Sequence, residues 1–466
     1  MHKIYILLAL LFSYFSWADE VNLEKAQEAA NTFITQDLNL VDPVIDLVYE
    51  RTIFISDLNE RTIYYVFNIN ETEGYIVISG EDAVTPILAY SLSSYYDINN
   101  LSPSFSSWMS QYVDLIVQVI QNNQQQNNEL EMKWNLLSDG IGLNVFRSSM
   151  SVGPLLTTEW GQSSPYNNLC PGGSVTGCVA TAMAQILNYW ECANSGTGYY
   201  SYTHADWGFL EFDYENTVFD WDNMLDDVTN SSGPDAIDAV STLMYACGVG
   251  ASMNYGIGGS GAYFVTPGAY ETYGIGAMVD HFGIIENGAA WRYMYTDAQW
   301  STLLDTELDG LRPVPYTGYN TIGSGGHAFV CDGYDNFGLY HFNWGWGGYQ
   351  DGYFAITDLT PSSYDFGGNN RIRLGVGCEI ENSFGCTDVN AVNYDPSANF
   401  DDASCEYECE FLLDSESIYL GIGVSNSGCD MYFNMGYTID YLESIGYACD
   451  CVTCAIDPCC DDPCCD

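Results

Sequence analysis

Basic side chains are scarce in this chain of 466 residues, which has 10 Lys and Arg against 62 Asp and Glu and a formal net charge of −52. After residue 150 the basic residues are Arg292, Arg312, Arg371 and Arg373 alone. A surface with this balance repels phosphate groups, so the composition argues against nucleic acid and anionic lipid as partners.

Long apolar runs are also lacking after the first residues. Residues 4–15 are apolar, follow a short basic start at His2 and Lys3, and precede small residues at Ser16 and Ala18. This pattern predicts a signal peptide over residues 1–18, and the run is too short to cross a bilayer comfortably as an anchor. We therefore expect a secreted protein, extracellular or at the cell surface, with no membrane span.

Cysteine is abundant but unevenly placed, since 12 of the 17 cysteines lie from Cys378 onward. An acidic module over residues 378–408 contains Cys386 and Cys405, and we expect these two to form a disulfide in an exported protein. The tail over residues 409–466 has a Cys-x-x-Cys pattern but no histidine. Disulfides are therefore favoured there over a zinc or copper site.

Oxygen ligands for calcium are also present in the module over residues 378–408. A solvated acidic turn is the alternative, because the spacing does not match a regular EF-hand loop. The candidate ligands are Asp388, Asn390, Asp395, Asp401 and Asp402.

A glycine- and serine-rich stretch leads into a segment of helical period that begins at Cys178. Apolar residues recur there at spacings of three and four through Trp190, which predicts a buried helix. A cysteine in the first turn lies near unpaired N–H groups and the positive end of the helix dipole. That environment favours the thiolate, which is the nucleophilic form. The alternative is a small apolar residue buried in a helix.

A thiolate nucleophile needs a positioned histidine. His327 follows small residues that allow a close approach to sulfur, and it opens a predicted strand. His204 and His281 lack such flanking patterns, and His341 alternates within a strand in the manner of a packed histidine. We therefore choose His327 as the general base.

Asn343 lies at the end of the next predicted strand, where a hairpin would bring its amide beside His327. An amide there would fix the tautomer of the imidazole. Asp332 and Asp335 are rival orienting residues. Trp344 and Trp346 would shield the site and line the cleft, although a structural turn with core aromatics also fits.

Three motifs in this order resemble the streptopain family of papain-like cysteine peptidases: TGCVATAMAQ around Cys178, GHAF around His327, and NWGWGG from Asn343. The resemblance covers about residues 150–375. It implies an α+β papain-like fold with two lobes, a helical lobe carrying Cys178 and an antiparallel β lobe carrying His327. It also implies an α+β inhibitory propeptide, a role for Asn343 in orienting His327, and an apolar residue before the cleaved bond.

Papain-like enzymes place an oxyanion-binding glutamine a few residues before the nucleophile. This chain has Gly and Pro there, so the nearest upstream glutamine, Gln162, is the candidate donor. A loop amide that caps backbone is the alternative. Cys170 should pair elsewhere or stay free, because a disulfide to Cys178 would abolish the nucleophile.

The domain organisation follows from these features, with a cleavable junction near residues 144–152. An accessory domain remains the alternative for the propeptide. The predicted divisions are a signal peptide (1–18), an inhibitory propeptide (19–147), a catalytic domain (148–377), the acidic module (378–408) and the Cys-rich tail (409–466). Predicted helices cover residues 23–33, 112–120, 236–248 and 296–308, and predicted strands cover 53–55, 62–67, 74–79, 328–332 and 339–343.

The sequence thus predicts a secreted cysteine endopeptidase made as a zymogen, acting on proteins or peptides, inhibited by its own propeptide and needing no cofactor for catalysis. A different thiol acyltransferase, such as a transglutaminase-like enzyme or an amidase, is one alternative. A non-catalytic surface-binding protein is the other.

Overall fold

The computed structural model describes residues 19–56, 59–146, 148, 150–264, 274–319, 326–356, 359–360, 369–378, 384–385, 393 and 400–401. The chain divides into two compact units, Met1–Glu379 and Ile380–Asp466. In the second unit, the described strands β15 (Phe384–Gly385) and β16 (Phe400–Asp401) pair in parallel.

Helices form where the sequence predicts them, and several are longer. Among the helices of the described ranges, none has the length and the hydropathy that crossing a bilayer requires. The α-helices are α1 (Leu23–Thr32), α2 (Pro103–Gln121), α3 (Asn128–Ser138), α4 (Cys178–Trp190), α5 (Pro234–Gly250), α6 (Gly274–Phe282) and α7 (Asp297–Asp309).

The helix predicted over residues 112–120 is confirmed as part of α2, which begins earlier, at Pro103. Ser102 caps α2 by accepting a hydrogen bond from the N–H of Phe105, and Pro103 occupies the first turn. Both residues are favoured at these positions. The cap therefore determines where α2 starts. The apolar period over residues 112–120 does not indicate that start.

The described strands of the first unit build one large antiparallel sheet and two small ones. They are β1 (Ile45–Ser56), β2 (Asn59–Ile69), β3 (Gly74–Ser79), β4 (Ile87–Ser91), β5 (Tyr199–His204), β6 (Gly208–Asp213), β7 (Ile284–Ile285), β8 (Gly288–Trp291), β9 (Val314–Tyr319), β10 (Gly326–Tyr334), β11 (Tyr340–Asn343), β12 (Gly352–Phe354), β13 (Arg371–Leu374) and β14 (Gly377–Cys378). The large sheet has ten strands in the order β1-β2-β3-β4-β12-β11-β10-β9-β13-β8.

The N-terminal segment, defined here as residues 19–147, shares this sheet with the rest of the unit. Its strand β4 pairs with β12 through Tyr90 opposite Tyr353 and Ala89 opposite Phe354. The main-chain ladder therefore continues without interruption from the N-terminal segment to the strand that begins at Gly326 and carries His327.

The residues of the first unit that the structure describes form two hydrophobic cores. One contains the N-terminal segment together with the aromatic residues of β9, β10, β11 and β12. The other surrounds α4, α5 and α6. Strand β10 contributes to both, because Phe329 and Cys331 belong to the first core while Ala328 and Val330 belong to the second.

A disulfide joins Cys192, just after α4, to Cys378 in β14, and it closes a separation of 186 residues. The sequence did not identify this pair. Cys170 and Cys178 are both free, so the expectation that they do not bond each other is confirmed.

Candidate active site

The predicted helix start at Cys178 is confirmed. Gly177 precedes it with φ of 87°, a left-handed conformation that favours glycine. A Cβ at Gly177 would lie 2.9 Å from the sulfur of Met253 and 3.0 Å from the carbonyl oxygen of Ser260. Glycine is therefore required both by the turn and by the loop packed against it, and together they set Cys178 at the first turn of α4.

Burial raises the pKa of the Cys178 thiol above its ordinary value, while the backbone N–H groups of Ala328, Val179 and Cys178 itself act in the opposite direction. Two of these groups belong to the first turn of α4. The third, from Ala328, directly follows His327 on β10. The fold thus brings the start of β10 to the nucleophile.

His327 is the second residue of β10, is partly buried, and pairs with Gly318 on β9. Burial lowers the pKa of its imidazole. Burial thus disfavours the charged form of both groups in this form of the chain. The small residues predicted just before His327 lie mostly outside the described residues, which resume at Gly326.

Asn343 ends β11 and is buried, opposite Val330 on β10. Its Oδ1 accepts hydrogen bonds of 3.0 Å from Gln185 Nε2 and of 3.0 Å from the N–H of Gly345. Its Nδ2 donates to the carbonyl oxygen of Thr158 at 2.7 Å. The amide is therefore held between α4 and the segment around Thr158, and its role in orienting His327 stays a prediction.

Sequence reasoning missed Gln185 and Thr158. Thr158 Oγ1 donates to Gln185 Oε1 at 3.0 Å, and both residues are buried. A signal existed, because Gln185 and Thr181 are the polar residues in an otherwise apolar run that extends through Leu187. A buried polar side chain needs a partner, and the partner here is Asn343.

Gln162 is nearly buried, and its carbonyl oxygen accepts a 3.0 Å hydrogen bond from the N–H of Thr176, two residues before Cys178. This contact sets the backbone of Gln162 beside the loop that leads to the nucleophile. The proposed oxyanion contact of its side chain stays a prediction.

Trp344 has no exposed surface, and Trp346 is partly buried. The indole Nε1 of Trp344 donates to the carbonyl oxygen of Gln350 at 2.9 Å. Its ring lies 6.2 Å from that of Trp108 and 6.3 Å from that of Phe105, both on α2. Trp344 is thus a core residue while the N-terminal segment is in place, and a place in the cleft stays a prediction.

The rival orienting carboxylates have other partners. Asp332 accepts from the N–H of Leu156, and its Oδ1 lies 2.6 Å from Nδ1 of the buried His341. Asp335 accepts a 2.8 Å hydrogen bond from the hydroxyl of Tyr90 in the N-terminal segment. Burial alone would lower the pKa of His341, but the Asp332 carboxylate raises it. His341 is thus a packed strand histidine bound to a carboxylate.

The candidate calcium ligands Asp388, Asn390, Asp395 and Asp402 lie outside the described residues, as do Cys386 and Cys405. Asp401 is described in β16, opposite Gly385. Among the residues that are described, His, Cys, Asp and Glu form no group of three or more able to hold a metal ion. The calcium site stays a prediction.

Both the region that contains the candidate site and the N-terminal segment match families of known proteins. Residues 160–354 match the peptidase C10 family model, and residues 18–116 match that of the Spi protease inhibitor. A solved structure of a prointerpain A fragment from Prevotella intermedia is 32% identical, and the alignment covers 71% of this chain and 100% of that fragment with a TM-score of 0.55. The chain belongs to the peptidase C10 family.

Curated relatives in the same family carry the names of thiol proteases. Streptopain of Streptococcus pyogenes is 29% identical over 374 residues, which cover 74% of this chain and 87% of streptopain. The thiol protease/hemagglutinin PrtT of Porphyromonas gingivalis is 28% identical over 386 residues, 79% of this chain. The chain spans only 42% of the length of PrtT. The resemblance to the streptopain family drawn from three motifs is therefore confirmed.

Proposed function

We propose that the chain is a secreted cysteine endopeptidase made as a zymogen. One observation carries the proposal: α4 starts at Cys178, and the N–H of Ala328, next to His327, contributes to the surroundings of its thiol. Both residues lie within the region that matches the C10 family. Export is supported by the signal-like residues 1–18, which lie outside the described residues, and by the Cys192–Cys378 disulfide.

The proposed mechanism is acyl transfer in two steps. The Cys178 thiolate attacks the scissile carbonyl, and His327 gives its proton to the leaving amine as the C–N bond breaks. Water then attacks the thioester, and His327 accepts a proton from it. The C–S bond breaks, the carboxylic acid leaves, and the thiolate–imidazolium pair is restored. The N–H of Cys178 and the amide of Gln162 stabilise the oxyanion, and Asn343 orients His327.

We propose that residues 19–147 are the inhibitory propeptide. Support comes from the inhibitor match and from the extensive contact with the catalytic strands. Burial of Cys178 and His327 in this form opposes the thiolate–imidazolium pair that catalysis needs.

Two further elements of the proposal concern the architecture and the ligands. The core around α4 and the core behind β9–β12 are assigned as the two lobes of a papain-like enzyme. No cofactor takes part in the mechanism. The module over residues 378–408 is assigned an optional calcium site, to be tested with Asp388→Asn and Asp395→Asn. Substrates are proteins or peptides with an apolar residue before the cleaved bond.

The test follows the purified full-length precursor by mass spectrometry under mild reductant, with casein as substrate, for wild type and Cys178→Ala. We expect wild type to trim itself to a start near residue 148 and to cleave casein, and Cys178→Ala to do neither. Cys331→Ala, which changes another free cysteine, serves as the matched control and should retain both activities. Full activity in Cys178→Ala would overturn the proposal.

A further inference from the structure

Gln185 shares one face of α4 with the nucleophile. Cys178, Thr181 and Gln185 follow one another at spacings of three and four residues, which align on a helix. The turn after Asn343 packs against this face, because a Cβ at Gly345 would lie 3.0 Å from Thr181 Cγ2 and 3.8 Å from Gln185 Nε2. The helix that carries Cys178 therefore contacts the end of the β10–β11 hairpin directly.

Two backbone groups determine which way the Asn343 amide faces. A backbone N–H only donates, so the atom bonded to the N–H of Gly345 is the amide oxygen. A carbonyl only accepts, so the atom bonded to the Thr158 carbonyl is the amide nitrogen. The group of Gln185 that faces Asn343 Oδ1 must then be its N–H₂.

The same logic fixes the other end of Gln185. Its Oε1 is left facing Thr158, whose hydroxyl is the donor at 3.0 Å. Thr158, Gln185 and Asn343 thus form a closed ring in which each side chain has one compatible orientation. All three are buried, with Gln185 at 0% exposure, so water does not offer substitute partners.

We propose that Gln185 is a positioning residue of the peptidase, which fixes the Asn343 amide relative to Cys178 and, through it, the imidazole of His327. This inference rests on the proposed function, in which Asn343 orients His327. An amide rotated by half a turn would present N–H₂ in place of oxygen. In this form of the chain Gln185 Nε2 and the N–H of Gly345 already donate to Asn343 Oδ1, so the imidazolium of the active form would share that oxygen with them. The imidazolium has only N–H donors, so a rotated amide would offer it no acceptor.

The test compares Gln185→Met, which keeps the length but removes the donor and acceptor, with Thr158→Val, which removes only the hydroxyl. Thr158→Ser keeps the hydroxyl. Ile186→Val is the matched control, since Ile186 is equally buried on the same helix but lies outside the ring. Tagged wild-type enzyme matures each full-length precursor and is then removed, so that no variant depends on its own activity for processing.

Two quantities are measured, kcat and KM on a fluorogenic peptide and the pH dependence of Cys178 alkylation by iodoacetamide. We expect Gln185→Met to lower kcat roughly ten- to a hundred-fold with little change in KM, the size of a lost buried hydrogen bond. Its alkylation profile should move to higher pH, because a less well-placed imidazolium stabilises the thiolate less. Thr158→Val should shift both in the same direction, and Thr158→Ser should restore them.

A purely structural role would lower the melting temperature and leave kcat and the alkylation profile at wild-type values, as expected for Ile186→Val, and this result would overturn the inference alone. If Gln185→Met fails to fold, Thr158→Val decides the question by the same two measurements. A wild-type enzyme that cleaves no peptide and alkylates as an ordinary thiol would overturn the proposed function and the inference together.

Discussion

The side-chain oxygen of Gln350 accepts a 3.0 Å hydrogen bond from the backbone N–H of Ser102, the residue that caps α2. Its Nε2 donates to the carbonyl oxygen of Asn100 at 3.3 Å, and its backbone N–H donates to Ser94 Oγ at 2.7 Å. The propeptide thus supplies a hydrogen-bond partner for both Oε1 and Nε2 of the fully buried Gln350. Gln350 fastens the propeptide to the turn that follows Asn343.

Gln350→Ala should weaken inhibition by the propeptide. One buried and one partly buried hydrogen bond are lost, and the N–H of Ser102 is left without its partner. The inhibition constant for propeptide added in trans should therefore rise roughly ten- to a hundred-fold. Inhibition of the mature enzyme is measured as a function of propeptide concentration. Gln299→Ala, which removes an amide that caps α7, is the control and should leave the inhibition constant unchanged. An unaltered constant in Gln350→Ala would contradict the assignment of Gln350 as an anchor.

The two strand histidines should respond differently to substitution. His327→Ala should abolish peptide hydrolysis, because no group remains to protonate the leaving amine. His341→Gln keeps a donor for Asp332, so it should cleave peptides while unfolding at lower temperature. Both variants are matured in trans and assayed with a fluorogenic peptide and by thermal unfolding. An inactive but well-folded His341→Gln together with an active His327→Ala would reverse the assignment of the base.

The precursor should lose stability as the pH rises from 5 to 8. Burial raises the pKa of Asp351 to about 7 and that of Asp335 to about 6. The pKa of an aspartate in the unfolded chain is about 3.9, so the folded state binds the protons of Asp351 and Asp335 more tightly than the unfolded state does. Their stabilising contribution is complete below the unfolded pKa and is lost as the pH rises through 6 to 7.

Urea unfolding of the Cys178→Ala precursor at pH 5 and pH 8 measures this effect. The free energy of unfolding should be larger at pH 5 by on the order of 1 kcal/mol or more. Asp351→Asn keeps an acceptor for the N–H of Trp344 but cannot titrate, so the difference between the two pH values should shrink. An equal difference in Asp351→Asn and its parent would rule out Asp351 as a source.

The disulfide between Cys192 and Cys378 should support stability without taking part in catalysis. It ties the end of α4 to β14, and removal of a native disulfide costs about 2–5 kcal/mol. Replacing both cysteines by serine should lower the melting temperature and leave kcat unchanged at low temperature. Strong reductant applied to the wild type should reproduce the loss in melting temperature, and a melting temperature indifferent to both treatments would contradict this role.

Much of the nucleophile's local structure could be predicted because it is encoded in adjacent residues. Gly177 must turn the chain, Cys178 begins an apolar helical period, and the helix ends within the predicted run at Trp190. The hairpin that carries His327 and Asn343 was also visible, since β10 and β11 are short apolar strands in succession. Local periodicity and turn chemistry were sufficient for these elements.

The remaining features depend on contacts between distant parts of the chain. Gln185 and Asn343 are 158 residues apart, and Cys192 and Cys378 are 186 residues apart. No periodicity links such pairs, so the sequence contained a buried glutamine without revealing its partner. The early start of α2 depends on a local cap at Ser102 and Pro103, which precedes the apolar period that predicts a helix over residues 112–120.

Because the propeptide and the rest of the first unit share one sheet, cleavage of the chain and dissociation of the propeptide are two separate events. A cut near residue 148 breaks no rung between β4 and β12 and leaves Trp108 against Phe342, their ring centroids 4.8 Å apart. Before cleavage the propeptide binds the rest of the unit at a fixed effective concentration. After cleavage its rebinding depends on the concentrations of the two parts. We therefore expect the cleaved enzyme to stay inhibited at high concentration and to become active when it is diluted. Dilution would then determine when proteolysis begins.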